Sequence, residues 1–170
     1  EHAVQEARGL SSVIADPSHD LNVDPGPALQ VAGSRSELFS AFSNLLSNAV
    51  RYTPAGGSIR AGWVLAEDGS GEFFVQDTGP GIAAEHLPRL TERFYRVDRS
   101  RSRETGGTGL GLAIVKHVAQ RHGGQVRVQS VPGQGSRFAV HLPAARLRAR
   151  MPQLLPFSAP AGRSAGAPCR

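Results

Sequence analysis

The stretch from Ser34 to Thr53 constrains this chain more than any other, because it opens on Ser34-Arg35-Ser36-Glu37 and then sorts its side chains by face. An S-x-x-E start marks a helix N-terminus in which a hydroxyl and a carboxylate satisfy free backbone N–H groups. At about 100° per residue, Leu38, Phe42, Leu45, Leu46 and Ala49 share one broad face, and Ser40, Asn44, Ser47, Asn48 and Arg51 share the opposite one. The apolar face needs a sheet or another helix to cover it. The polar face is unusual, since solvated faces are commonly filled with Glu, Lys and Gln, while Asn favours caps and turns. Asn44 and Asn48 at i and i+4, with Arg51 following, line up amide oxygens and a cation in a row suited to a hydrated metal and a polyphosphate. Taken alone, the same row also reads as a solvated face.

Helices are predicted at 34–53 and 110–122, and a weak one over 1–15 from Val4, Ala7, Leu10 and Ile14. Strands are predicted at 20–24 and 28–32, on either side of Asp24-Pro25-Gly26-Pro27, and at 58–65, 72–76, 125–130 and 136–142. Val131-Pro132-Gly133-Gln134-Gly135 reads as the hairpin connection of the last two. Helices and strands that mix without strict alternation point to an α+β fold, an open sheet covered on one face by helices. A length of 170 residues fits one such domain.

The net charge of +5 suggests nucleic acid or an anionic membrane until it is located. Residues 143–170 hold Arg146, Arg148, Arg150, Arg163 and Arg170 and no acid, which leaves 1–142 neutral. The body is therefore not a basic nucleic-acid-binding domain. The terminal stretch, rich in Ala, Pro, Gly and Arg, reads as a mostly disordered tail. Cys169 is the single cysteine, so neither an intramolecular disulfide nor a cysteine-based zinc site can form, which suits a reducing, cytoplasmic setting. No apolar run approaches the roughly 20 residues that span a bilayer. A chain that begins at Glu1 reads as a piece of something longer.

Two glycine-rich turns carry the remaining chemistry. Residues 72–82 form an apolar strand that ends at Asp77 and breaks into Thr78-Gly79-Pro80-Gly81-Ile82. An Asp there is either a turn-former or an acceptor facing a pocket, where it would take an exocyclic amine and so favour adenine over guanine. Gly79 and Gly81 would let backbone approach a flat ring. Gly106-Gly107-Thr108-Gly109-Leu110-Gly111-Leu112 runs directly into a helix, offering free N–H groups and the positive end of the dipole to phosphate. It is not a dinucleotide fingerprint, since Leu112 occupies the sixth place, and it is not a Walker A loop, since no Gly-Lys-Ser/Thr follows the gap. Residues 83–105 precede it as an arginine-rich lid, with Phe94 and Tyr95 as anchors and Arg96 within reach of phosphate.

Taken together, these residues resemble the catalytic, ATP-binding domain of bacterial sensor histidine kinases, a Bergerat-fold group shared with type II topoisomerases, Hsp90 and MutL. Asn44-Leu-Leu-Ser-Asn48-Ala-Val-Arg51-Tyr52 resembles the N box, Asp77-Thr-Gly79-Pro-Gly81-Ile82 the G1 box, Glu92-Arg-Phe94-Tyr95-Arg96 the F box, and Gly107-Thr108-Gly109-Leu110-Gly111-Leu112 the G2 box. The likeness covers roughly residues 20–142, and residues 88–98 and 114–117 look particularly like the phosphate-regulon sensor kinases.

That resemblance implies a two-layer α/β sandwich: a mixed sheet of about five strands with three helices on one face, and ATP under a lid. It implies that Asn48 holds Mg²⁺, that Asn44 and Arg51 approach the phosphates, that Tyr52 lies along the adenine and that Asp77 binds its amine. Gly79, Gly81, Ile82 and Phe94 would line the nucleotide, and Arg96 with Gly107, Thr108, Gly109, Leu110, Gly111 and Leu112 would complete its phosphate side. The chemistry implied is transfer of the γ-phosphate to a histidine of a separate dimerisation domain, whose connection would be residues 1–15, with 16–142 as the catalytic domain. None of His2, His19, His86, His117, His122 and His141 has the sequence context of that acceptor. The parent protein implied is a homodimer anchored in the inner membrane that serves a response regulator. An ATP-driven conformational switch of the MutL type, or a regulatory module without phosphotransfer, are the competing readings.

Overall fold

In the computed structural model, residues 19–27, 29–97 and 108–149 are described. Strands β1 (Asp20–Val23), β3 (Ser58–Leu65), β4 (Gly71–Asp77), β5 (Gln125–Val131) and β6 (Gly135–Leu142) form one sheet in the order β1-β3-β4-β6-β5. β1 runs parallel to β3 and the other neighbours are antiparallel, so the sheet is mixed, as expected. Helices α1 (Arg35–Tyr52) and α2 (Gly111–Arg121) pack on it and on each other. In place of a third full α-helix, the described residues hold two short 3-10 turns, Ala84–Arg89, with Pro88 inside it, and Ala144–Arg146. The two strands flanking Asp24–Pro27 do not pair with each other: β1 joins β3, while β2 (Leu29–Val31) pairs with a strand absent from the expectation.

That partner is β7 (Leu147–Ala149), antiparallel to β2 with Leu29 opposite Ala149. The folded body therefore extends past 142, where the sequence begins the tail. The reason is local: Leu147 packs against the core and Arg146 accepts at its carbonyl from the N–H of Ala32, so the first residues of the basic stretch find partners across the fold. The readings for 1–15 and for the rest of the tail fall outside the described residues.

Alternation sets the faces. Val126 and Val128 of β5 lean into the core, while Gln125, Arg127 and Gln129 face away from it. Ile59, Val75, Val140, Leu142, Leu45 and Val115 are fully buried between sheet and helices. Phe42 of α1 stacks on Phe73 with ring centroids 4.2 Å apart and meets Trp63 edge-on at 5.7 Å, a favoured aromatic arrangement that docks the helix onto β3 and β4. On the helix-free face, Glu72 pairs with Arg127 and Arg137, and the Arg137 guanidinium lies 4.8 Å above Phe74. This covers Phe74, which is buried on that face while Gln76 of the same face stays exposed.

The helix start differs from a full capping box. Ser34 Oγ accepts from the N–H of Glu37 at 3.5 Å, but the Glu37 carboxylate pairs with Arg121 instead of returning to Ser34. The Ser34 N–H donates to Nε2 of His122, whose Nδ1–H faces the carbonyl of Val118 at 2.8 Å. A buried imidazole with one donor and one acceptor thus joins the start of α1 to the end of α2. A methyl on Gly33 would collide with that ring. Gly33→Ala is expected to cost about 1–3 kcal/mol, the usual range for overpacking, read as a lower urea midpoint with an unchanged slope.

Candidate functional site

The apolar face of α1 is buried as its register predicts, through Leu38, Ala41, Phe42, Leu45, Leu46 and Ala49. That leaves the opposite row at the edge of the layer. Asn44 is half-buried, and its amide donates to the carbonyl of Ser40 at 2.8 Å, which fixes the amide plane. Its Oδ1 then faces Gly111, where a Cβ would stand only 2.8 Å away. The row on α1 and the glycine-rich start of α2 are therefore adjacent. Asn48, one turn on, is half-buried with a side chain that hydrogen-bonds to no described residue, and Arg51 is exposed with no carboxylate partner among them.

Helix α2 begins at Gly111 with no side chain of the described residues capping it and no acid in its first turn. Its first N–H groups and dipole end are directed toward the space beside Asn44. Gly109 has φ of +70°, and a Cβ there would press on the Phe94 backbone at 3.0 Å and on Arg96 Cγ at 3.3 Å. The N–H of Phe94 donates to the Gly109 carbonyl at 2.9 Å. Arg96, half-buried, thus lies against this turn. Thr108 is exposed, Leu110 and Leu112 are half-buried, and Gly107 falls outside the described residues.

The expected anchoring by Phe94 does not hold. Its φ is +65°, a left-handed conformation rare for a bulky side chain, and its ring is 69% exposed. The hydrogen bond to Gly109 holds that backbone and turns the ring away from the core. Of the two, Tyr95 is the anchor, beside Leu87 and Leu90 of the same stretch: its hydroxyl lies 2.7 Å from His86 Nδ1, and Arg89 covers its ring at 4.3 Å.

Asp77 ends β4 and is buried. Its Oδ1 accepts from the N–H of Gly79 at 2.9 Å, and the N–H of Ser136 also points to the carboxylate. Burial pushes the carboxyl above its ordinary range, and the two N–H groups oppose that rise. Gly79 lies against the carbonyl of Tyr52, where a Cβ would come within 2.9 Å, so the end of α1 and the turn after β4 meet. Tyr52 itself is half exposed beside them. Gly81 has φ of +70°, and a side chain there would collide with the carbonyl of Val131. Ile82 is packed on the core.

Two elements of this arrangement escape the sequence reading. The N–H of Ile82 donates to Ser130 Oγ at 2.8 Å, and the N–H of Gly133 donates to the carbonyl of Pro80 at 2.7 Å. Both come from the β5–β6 hairpin, read from sequence as a connection only. Asp77 and the G1 glycines meet the end of α1 at Tyr52, and the α1 row meets the start of α2 at Gly111, next to Gly109 and Arg96. None of the described histidines joins these groups: His122 and His86 are committed to their hydrogen bonds, His19 bonds the carbonyl of Thr53, His141 lies in β6, and His117 is exposed on α2.

Residues 33–146 match the family described as histidine kinase-, DNA gyrase B-, and HSP90-like ATPase. The chain is 54% identical over 142 residues to the phosphate regulon sensor protein PhoR of Pseudomonas aeruginosa, covering 84% of this chain and 31% of that protein. It spans about a third of the length of the curated relatives it matches. Among solved structures it resembles the mycobacterial sensor histidine kinase MprB at a TM-score of 0.67 and 31% identity, covering 84% of this chain and 89% of that one. It also resembles full-length ShkA in complex with AMPPNP at a TM-score of 0.70 and 30% identity, covering 83% of this chain and 29% of that one. The fold, the four boxes and these matches agree, and the chain belongs to the histidine kinase-, DNA gyrase B-, and HSP90-like ATPase family.

Proposed function

We propose that this domain binds Mg·ATP and transfers the γ-phosphate to a histidine on a separate acceptor domain of a sensor histidine kinase, within phosphate-regulon signalling. The observation that carries the reading is the approach of Asn44 Oδ1 to Gly111, which sets a polar helix face beside a free helix start, with a buried carboxylate at the neighbouring strand end. A nucleoside triphosphate matches this: an amine donor at one end and several negative charges at the other. The likeness to PhoR, and to ShkA solved with AMPPNP, supports it.

In this reading Asp77 would accept from the adenine amine, with Gly79, Gly81, Ile82 and Tyr52 along the ring. Arg51, Arg96 and the first N–H groups of α2 would neutralise the phosphates, with Thr108, Gly109, Leu110, Gly111 and Leu112 shaping that end and Phe94 at its rim. The residues fit a divalent ion, because Asn48 holds an uncommitted amide oxygen on the row that faces the phosphates. Asn48 would hold Mg²⁺ there when nucleotide is bound, and the ion would supply neutralisation of phosphate charge. Phosphoryl transfer asks little covalent chemistry of the protein, so these residues act by holding the triphosphate in line for an incoming imidazole. The dimerisation domain and a response regulator would be the partners of the parent protein. Among the described residues, no helix is long and apolar enough to cross a membrane.

Asn48→Ala should abolish the Mg²⁺-dependent part of ATP affinity in calorimetry while circular dichroism stays native, since the residue lies off the apolar stripe. Unchanged Mg·ATP affinity would remove it from the site. Incubation with γ-labelled ATP should give no acid-labile, base-stable label on this chain alone, and should give it on an added acceptor-helix fragment of the parent kinase. Self-labelling would overturn the separate acceptor, and tight ATP binding without transfer would favour a regulatory module.

Asp77 also predicts a pH dependence. Its carboxyl is raised in the fold, so the folded state holds a proton that the unfolded state has released. Stability of the nucleotide-free domain should therefore fall as pH rises from the ordinary carboxylate pKa through the raised one, then level off. Asp77→Asn should remove that component, seen by comparing urea midpoints of the two proteins across the same pH range.

A further inference from the structure

Ser130 belongs to β5 and to none of the four boxes, yet it lies beside the turn that follows Asp77. It is half-buried, opposite Ser136 across the β5–β6 pair, and Ser136 is opposite Asp77 across β6–β4. One rung thus runs Asp77, Ser136, Ser130. Ser130 Oγ accepts from the N–H of Ile82 at 2.8 Å, and lies 3.0 Å from the carbonyl oxygen of Gly135 and 2.9 Å from Ser136 Oγ. A carbonyl can only accept, so the one hydroxyl proton goes to Gly135 and Ser136 donates in turn to Ser130. The hydroxyl is then fully used: one donation and two acceptances.

We propose that Ser130 is the positioning residue of the adenine end of the site, setting the Gly79–Ile82 turn against Asp77; this rests on the nucleotide reading above. Ser130 grips the turn one residue past Gly81, while the Gly133 N–H grips it at Pro80. Gly81 and Gly135 lack the Cβ atoms that would push the turn and the hairpin apart. The same hydroxyl fixes Gly135 and Ser136, and the Ser136 N–H points to the Asp77 carboxylate. Ser130 therefore connects the carboxylate's hydrogen-bond donor to the backbone that would face the ring, and it touches neither base nor phosphate itself. Without the hydroxyl, the Ile82 N–H loses its acceptor and the turn is released on one side. Affinity for the base should fall, while the phosphate end on α1 and α2 is untouched.

The test is a double-mutant cycle on the full chain, with ATP and magnesium tripolyphosphate as probes in calorimetry. Ser130→Ala should weaken ATP roughly five- to fiftyfold, the lower part of the range for leaving a donor unpaired, as suits a part-buried N–H, and Ser130→Thr, which keeps the hydroxyl, should restore most of it. Tripolyphosphate binding should be unaltered in both. In an Asp77→Asn background, Ser130→Ala should add less than about twofold, since coupled residues are not additive. Equal losses for ATP and tripolyphosphate, or full additivity with Asp77→Asn, would show a merely structural serine and overturn the proposal. Unchanged ATP affinity in Ser130→Ala alongside a loss in Asp77→Asn overturns it too and leaves the nucleotide reading standing. Unchanged affinity in Asp77→Asn brings down that reading and this inference with it.

Discussion

Burial of one side of α1 determines where the polar row Asn44, Asn48 and Arg51 stands. Phe42 packs against both Trp63 and Phe73, and Leu45 is sealed against the sheet, so the helix has no freedom to roll about its axis. A rotation of one residue would pull an aromatic ring or a leucine from the core at a cost of about 1.5–3 kcal/mol each. Asn44, Asn48 and Arg51 inherit their direction from that packing. The second helix is aligned to the first at both ends, by the His122 bridge at one and by the fit of Gly111 under Asn44 at the other. The distance between the amide row and the free helix start is thus a packing property of the core.

The turn after Asp77 is built on a different principle. Its position comes from backbone contacts so close that no side chain fits, at Gly81 against Val131 and at Gly135 against Asp77. Hydrogen bonds then fill what sterics permit. The cost falls on Asp77, a carboxyl kept out of water with two N–H donors as compensation.

Much of this was legible in the sequence, and what was not shares one cause. The register of α1 follows from the spacing of Leu38, Phe42, Leu45, Leu46 and Ala49, a local pattern, and the glycine turns follow from residue types that tolerate few alternatives. Ser130 and His122 left no such mark, since their partners lie 48 and 88 residues away. Glu37 was misjudged for the same reason: the local capping rule holds until a distant Arg121 competes for the carboxylate. Phe94 was assigned to an apolar anchor by its type, but a left-handed backbone imposed by Gly109 overrode that preference.

The pairing of β2 with β7 bears on where this domain can be cut. The family match ends at residue 146, and the sequence reading ends the body at 142, yet β7 runs to Ala149. A chain trimmed at either point would keep every nucleotide box while stripping β2 of its partner. Leu29, Gln30 and Val31 would then present unpaired N–H and C=O groups at a bare strand edge, the kind of edge on which a second molecule adds its own strand. Self-association of a shortened fragment would in that case report the position of the cut, and a fragment retaining Leu147–Ala149 would keep that edge closed by its own chain.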